Sequence, residues 1–157
     1  MRIVIQRVKE ASVTIHGTCI GKIGKGLLLL VGFEAADTNE DLAWIAKKTV
    51  QLRIFDDANG VMNLSLEELQ APPSNQEVGL FVVSQFTLHA STKKGNRPSY
   101  FRAAPPPIAI PLYEAFVREL RTAFSGTIQT GQFGAEMEVN LTNDGPVTIC
   151  IDSKSRE

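Results

Sequence analysis

The chain has 157 residues, about the size of one folded domain, and 43% of them are hydrophobic, which excludes a disordered protein. Its formal net charge of −1 excludes a strong overall attraction to nucleic acid, so any RNA contact must come from a local basic patch. The two cysteines, Cys19 and Cys150, belong to no Cys/His cluster, and we expect neither a metal ion nor a cofactor.

The first part of the chain has the patterns of strands. Apolar and polar residues alternate from the N-terminus, which indicates a strand and not a signal peptide. Four strand-like segments follow one another, at residues 2–9, 12–16, 19–23 and 26–33. The second and third flank Gly17-Thr18, as in a hairpin, and the fourth is a continuous apolar run typical of a buried strand. Because no apolar run is long enough to span a membrane, we expect a soluble cytoplasmic protein.

Helical spacing of apolar residues appears twice. The first instance, with Thr38 and Asp41 spaced as a capping box, predicts a helix over residues 39–51. The second predicts a helix that begins at Pro111 and is stopped by Gly126. Further strands are predicted at residues 79–88, 127–130, 136–142 and 146–151. Together these elements predict a single α+β domain over residues 1–157, in which a curved, barrel-like and mostly antiparallel sheet carries two main helices.

The strand predicted at residues 79–88 ends in a polar segment, Ser84-Gln85-Phe86-Thr87, directly before a long loop. Hydroxyl and amide groups at such a position can hold a polar substrate or stabilise a developing oxyanion. Strand alternation would place Gln85, Thr87 and His89 on one face, and Ser84 and Phe86 on the other. The alternative is that these residues only terminate a strand, and composition alone favours that alternative.

No familiar catalytic template is present in the sequence. There is no GxSxG motif, and neither His16 nor His89 belongs to a recognisable triad. His89 is a candidate general base for Thr87, whereas His16 is expected to be solvated at a hairpin tip. An enzyme made from this sequence would therefore depend on backbone groups, hydroxyls or the substrate itself.

Two later segments have both a structural and a functional interpretation. Asn143-Asp144-Gly145-Pro146 is typical of an ordinary hairpin connection, but the Gly-Pro carbonyls could also recognise an amino group at close range. Lys93, Lys94 and Arg97 lie in a loop followed by Tyr100 and Phe101. That loop is either a solvated surface or a site for a phosphate backbone with an unpaired terminal base.

Taken together and in order, these motifs resemble the D-aminoacyl-tRNA deacylase family. The resemblance extends over nearly the whole chain and is carried by residues 1–8, 84–88, 94–99 and 143–148. Shorter matches at residues 52–55, 62–66 and 133–135 add to it. Ser91 departs from the family pattern, in which an Asp is common at that position.

The resemblance implies a barrel-like α+β homodimer that hydrolyses the ester between a D-amino acid and the 3′ end of tRNA. It implies that Gly145-Pro146 is a cis peptide that enters the partner subunit's pocket and rejects L-amino acids by exclusion, so that glycyl-tRNA is also accepted. Arg7 would brace that segment. Ser84, Gln85, Phe86 and Thr87 would line the reaction pocket, with backbone N–H groups near Phe86 and Thr87 polarising the ester.

Two questions of function stay open at the level of sequence. Thr87 resembles a residue suspected as a nucleophile, yet a positioning role fits equally well, because the family is thought to recruit the 2′-hydroxyl of the terminal adenosine. The alternative to an enzyme is a non-catalytic, dimeric RNA-binding module. Such a module would need the basic loop but not Gln85, Thr87, Gly145 and Pro146.

Overall fold

The first strand is the centre of the sheet. The computed structural model describes residues 1–156, and in it β1 (Arg2–Ile15) pairs antiparallel with three other strands. The other strands are β2 (Thr18–Ile23), β3 (Gly26–Gly32), β4 (Phe55–Asp56), β5 (Met62–Leu64), β6 (Gly79–Ser84), β7 (Thr127–Thr130) and β8 (Glu138–Asp152). The main sheet has the order β2-β1-β3-β6-β7, with β8 also paired to β1, and β4 and β5 form a separate two-stranded sheet.

The main sheet is nearly closed. A methyl group built on Gly21 of β2 would lie 3.0 Å from the side-chain oxygen of Gln129 in β7, so the two ends of the sheet are in contact range. The predicted α+β domain with a barrel-like sheet is thus confirmed. The sheet is mixed rather than mostly antiparallel, because β3 pairs parallel with β6, and β6 pairs parallel with β7. Parallel neighbours need crossover connections, and the helices lie in those connections.

The helices are α1 (Asn39–Gln51), α2 (Leu66–Gln70) and α3 (Pro106–Ala123). The predicted bounds of α1 are confirmed, and it begins at the predicted capping box, in which Asp41 accepts from the backbone N–H of Thr38 at 2.8 Å. The short α2 was not predicted. It starts at a second capping box, between Ser65 and Glu68.

The predicted start of the long helix at Pro111 is wrong. α3 begins five residues earlier, with Pro106 in its first turn, and contains Pro111 in its interior. Pro106 costs no hydrogen bond, because the first N–H groups of a helix have no acceptor within it. Pro111 removes one backbone hydrogen bond from the helix interior, and burial of Tyr113 and Phe116 on the same helix offsets that loss.

The apolar core has two parts, one on each side of the sheet. α1 and α3 cover one face, which contributes Ile3, Ile5, Leu29 and Val82, among others. The opposite face lies inside the barrel and includes Val13, Leu28, Phe81 and Val83. Burial on both faces explains why β3 and β6 read as continuous apolar runs in the sequence.

Residues 2–9 and 12–16, predicted as two strands, form the single strand β1, which pairs with β8 from Arg2 to Thr14. Two other predicted strand boundaries are also wrong, and both lie at functional segments. The strand predicted to extend to Leu88 ends at Ser84, because β3 stops at Gly32 and offers no partner beyond the bond from Gln85 N to Val31 O. The chain then forms a short 3₁₀ turn, Phe86–His89, called here the 86–89 turn. The predicted alternation of faces over residues 84–89 therefore does not apply.

The second error concerns the C-terminal strands. Residues 136–142 and 146–151 are not two strands joined by a hairpin, because both halves belong to β8 and pair with the same strand, β1. Thr148 pairs with Gln6, and Asn143 pairs with Val8, so residues 144–147 stand opposite Arg7 alone. This segment is called the bulge below.

Candidate active site

A cavity of about 600 Å³ opens where the parallel strands β3 and β6 end. Its walls are mainly apolar and include Phe133, Met137 and Val139, which precede or belong to β8. The polar part of the wall is the chain around Ser84, where β6 ends. Carboxyl ends of neighbouring parallel strands are a frequent position for ligand sites, because the chain leaves the sheet there with unused polar groups.

Three of the predicted site residues, Ser84, Gln85 and Phe86, line this cavity. Thr87 does not belong to the lining among the described residues, but it is adjacent and half-buried. The side-chain amide of Gln85 donates a hydrogen bond to the Thr87 hydroxyl, which fixes both side chains at the edge of the cavity.

Two backbone N–H groups of the 86–89 turn have no hydrogen-bond acceptor among residues 1–156. Its first internal bond runs from Leu88 N to Gln85 O, at 3.3 Å. The N–H groups of Phe86 and Thr87 precede that bond, and the first N–H groups of a helical turn have no acceptor within the turn. Two adjacent donors beside a cavity are an arrangement that can stabilise a carbonyl oxygen as it gains negative charge.

His89 is placed against Glu34 and not against the Thr87 hydroxyl. Its side chain is 1% exposed, and its Nδ1 lies 3.0 Å from Glu34 Oε1. Within residues 1–156, neither ring nitrogen makes a hydrogen bond of good geometry, so no bond joins it to the Thr87 hydroxyl. The other histidine, His16, is exposed at the tip of the β1–β2 hairpin, as expected.

The bulge holds Gly145 and Pro146 at the surface through Arg7. The Arg7 guanidinium is 6% exposed and donates to Asp144 O at 3.0 Å and to Ile54 O at 2.6 Å. The Gly145–Pro146 peptide is cis, and both residues are exposed. Neither one lines the cavity of its own chain, at least within the described part of it. The two segments singled out in the sequence thus lie on different parts of the chain.

The basic stretch lies in the loop that joins the 86–89 turn to α3, residues 90–105, called the basic loop. Two backbone hydrogen bonds between Ser91 and Ser99, of 2.8 and 2.9 Å, close its base. Lys93, Lys94 and Arg97 are all exposed beyond that base. The loop returns to the cavity at Tyr100, whose ring contacts Phe86 edge-on with 5.1 Å between centroids.

Sequence reasoning missed the apolar wall and its support. Phe133 was noted only as part of a short match, and its ring packs edge-on against Tyr113, 5.8 Å between centroids. The Tyr113 hydroxyl donates to Val82 O at 2.9 Å, and burial raises the pKa of Tyr113 to about 12, so it stays uncharged. No signal in a single sequence could have joined residues so far apart along the chain.

No helix in residues 1–156 combines the length and apolarity that crossing a membrane requires. The same residues contain no group of three His, Cys, Asp or Glu side chains positioned to hold a metal ion.

Comparison with known proteins gives consistent matches over the full length. A family model described as D-Tyr-tRNA(Tyr) deacylase matches residues 4–152. A protein of Bacteroides fragilis and one of Flavobacterium johnsoniae, both named D-aminoacyl-tRNA deacylase, are 59% and 57% identical to this chain, with all of both chains covered. The solved structure of a protein named c-Myc DNA Unwinding Element Binding Protein has a TM-score of 0.88 and 38% identity, covering 97% of this chain and 98% of the other.

Proposed function

This chain belongs to the family of D-aminoacyl-tRNA deacylases, hydrolases of aminoacyl-tRNA, and we propose that it removes D-amino acids and glycine from tRNA while rejecting L-amino acids. The observation that carries the proposal is a pair of N–H groups, on Phe86 and Thr87, that have no acceptor among residues 1–156 and lie at the edge of an apolar cavity. The reaction takes place in the cytoplasm, where tRNA is charged.

In the proposed reaction, water attacks the ester carbonyl carbon, and the carbonyl oxygen is stabilised by the N–H groups of Phe86 and Thr87. The proton released by the attacking water passes to the 3′ oxygen of the terminal adenosine, the ester bond to that oxygen breaks, and the oxygen leaves as a hydroxyl. The neighbouring 2′-hydroxyl of the substrate orients the water. Participation of the substrate is consistent with the position of His89, which is turned to Glu34.

Thr87 acts in positioning and not as a nucleophile. A nucleophilic hydroxyl needs a base to accept its proton. Its partner here is the side-chain amide of Gln85, which is not basic whichever of its two ends faces the hydroxyl. The bond instead orients Gln85 and Thr87 at the edge of the cavity.

We propose that Gly145 and Pro146 form the chirality gate and that they act in the cavity of a second copy of the chain. The bulge carries both residues at the surface, away from their own cavity, so a gate made from them requires a partner. A twofold homodimer would bring each bulge to the opposite cavity. There the Gly145 and Pro146 carbonyls would bind the substrate's amino group and leave no room for an L side chain.

The basic loop is proposed to hold the 3′ end of tRNA. Lys93, Lys94 and Arg97 would contact phosphates, and the Phe86–Tyr100 pair would stack on an unpaired base at the mouth of the cavity. A role in nucleic-acid binding without catalysis is the second candidate. It is favoured by the similarity to the c-Myc DNA Unwinding Element Binding Protein, which by its name binds DNA and is 38% identical to this chain.

One experiment separates these functions. Purified protein is incubated with D-tyrosyl-tRNA, L-tyrosyl-tRNA and glycyl-tRNA, and release of the labelled amino acid is followed over time. We expect release from the D-tyrosyl and glycyl substrates and much slower release from the L-tyrosyl substrate. Equal rates with both tyrosyl substrates would rule out the chirality gate, and binding of tRNA without any release would favour the second candidate.

A further inference from the structure

A buried contact that the proposed reaction does not use joins the 86–89 turn to the basic loop. The turn ends at His89, whose ring is 1% exposed. The loop ends near Arg102, which is 47% exposed. Both side chains meet one atom, Glu34 Oε1, at 3.0 Å from His89 Nδ1 and 2.6 Å from Arg102 Nη2.

The backbone holds Glu34 in place for this contact. Glu34 follows β3, its N–H donates to Asp37 Oδ2 at 2.8 Å, and its carbonyl accepts from Asp37 N at 3.1 Å. Its carboxylate is 17% exposed, and the oxygen that meets both partners is shielded from solvent and makes no hydrogen bond of good geometry within residues 1–156, so the contact is one of charge and packing. In such surroundings a charge is costly unless it is paired, and the half-exposed Arg102 guanidinium stabilises it.

The imidazole of His89 reaches this carboxylate behind the wall of the cavity. Gly32 lines the cavity, and a methyl group built there would lie 3.1 Å from His89 Cδ2 and 2.8 Å from Gln85 O. Only a residue without a side chain leaves room for the ring beneath the segment that carries the proposed oxyanion donors. The ring of His89 and the carbonyl of Gln85 thus pack against the same residue, Gly32.

The turn and the loop also meet at the mouth of the cavity, through the rings of Phe86 and Tyr100. The same two segments are thus joined twice, by an aromatic contact at the surface and by Glu34 beneath. We infer that Glu34 is a positioning residue that fixes the 86–89 turn and the Tyr100 end of the basic loop relative to each other. This inference rests on the proposed function for its kinetic consequence only.

The kinetic test uses Glu34→Gln, which removes the charge and keeps the size, with D-tyrosyl-tRNA as substrate. Loss of the negative charge that His89 and Arg102 both face is expected to lower kcat about tenfold and to raise KM as much as Arg102→Ala does. Arg102→Ala, a substitution of a half-exposed side chain, is expected to raise KM several-fold with kcat within about twofold of wild type. Glu77→Gln, at an exposed site away from the cavity, is the matched control and should behave as wild type.

The double variant Glu34→Gln/Arg102→Ala tests whether the two residues act together. If Glu34 and Arg102 serve one contact, the KM of the double variant should equal that of the more impaired single variant. The inference would be overturned if the KM increases of the two single variants multiplied in the double variant. It would also be overturned if Glu34→Gln stayed within twofold of wild type in both kcat and KM.

A spectroscopic test stays informative even if no deacylation is found. The chain contains only two histidines, so ¹⁵N NMR of the labelled rings distinguishes His89 from His16. Glu34→Gln should move the ring nitrogen resonances of His89 and leave those of His16 in place. Unchanged His89 resonances in a folded variant would contradict the contact itself, independently of the reaction.

Discussion

Gly145→Ala tests the proposed gate most directly. Gly145 has φ of +125°, a conformation that residues with side chains rarely adopt. The added methyl carbon would lie 3.0 Å from Val147 Cγ2, 3.1 Å from Val147 N and 3.2 Å from Arg7 Nη2. All three distances are shorter than ordinary van der Waals contact, so the bulge must shift by a few tenths of an ångström.

The expected cost has two parts. Forcing a non-glycine residue into this conformation costs about 1–3 kcal/mol of folding free energy. Displacement of the proposed carbonyl contacts to the substrate's amino group should lower kcat/KM for D-tyrosyl-tRNA at least about tenfold, since about 1.4 kcal/mol of transition-state stabilisation corresponds to that factor. Stability is measured by urea unfolding and activity by release of labelled tyrosine.

Gly17→Ala is the matched control for this substitution. Gly17 also has a positive φ, +76°, but a methyl group there would have nothing within 4 Å, and it lies at the hairpin tip after β1. The control should lose about 1 kcal/mol of stability and retain full deacylation activity. If Gly145→Ala kept full activity on D-tyrosyl-tRNA, with L-tyrosyl-tRNA still rejected, the proposed role of Gly145 would be wrong.

Three further substitutions test other parts of the structure. Thr87→Ala should retain more than about one hundredth of the wild-type kcat, because a positioning role is only partly lost, whereas loss of a covalent nucleophile would reduce kcat by more than about 10⁴. Arg7→Lys should lower the free energy of unfolding by about 2 kcal/mol and also lower activity, because an ammonium group cannot reach Asp144 O and Ile54 O together. Full activity of this variant would exclude the bracing role. Burial of Asp41 opposes its ionisation, but hydrogen bonds from Lys154 and Thr38 outweigh burial and hold the pKa of Asp41 well below its ordinary 3.8. The ionised Asp41 side chain therefore stabilises the fold fully above pH 3.8, and this stabilisation is lost as the pH falls toward the pKa of the folded state. Asp41→Asn should lower the free energy of unfolding by about 1–2 kcal/mol at pH 7 and by progressively less below about pH 4. Unfolding curves recorded across that pH range measure this difference.

Local signals in the sequence were sufficient for α1 and for the family. Residues 39–51 carry their own helical period and capping box, so nothing outside the segment is needed to recognise the helix. The resemblance to D-aminoacyl-tRNA deacylases is confirmed by the matches over residues 4–152, because several ordered motifs specify a family far better than any one of them.

Features that depend on a distant partner were not predictable from local patterns. The end of β6 at Ser84 is decided by where β3 stops, and the pairing of both halves of β8 with β1 cannot be read from the turn-like residues between them. Asn143-Asp144-Gly145-Pro146 has the composition of a hairpin, yet β1 is long enough to pair on both sides of it. Glu34, His89 and Arg102 gave no local signal, because they meet only after the sheet has formed.

The position of the bulge within a continuous strand has a consequence for the timing of the proposed selection step. A loop or lid can open by local unfolding at little cost, but the bulge is held by ladder bonds to β1 on both sides and by buried Arg7 beneath it. Opening it requires breaking the ladder bonds between β8 and β1. Rejection of an L-amino acid would then be immediate on encounter, with no closing motion to wait for and no conformational step to limit turnover.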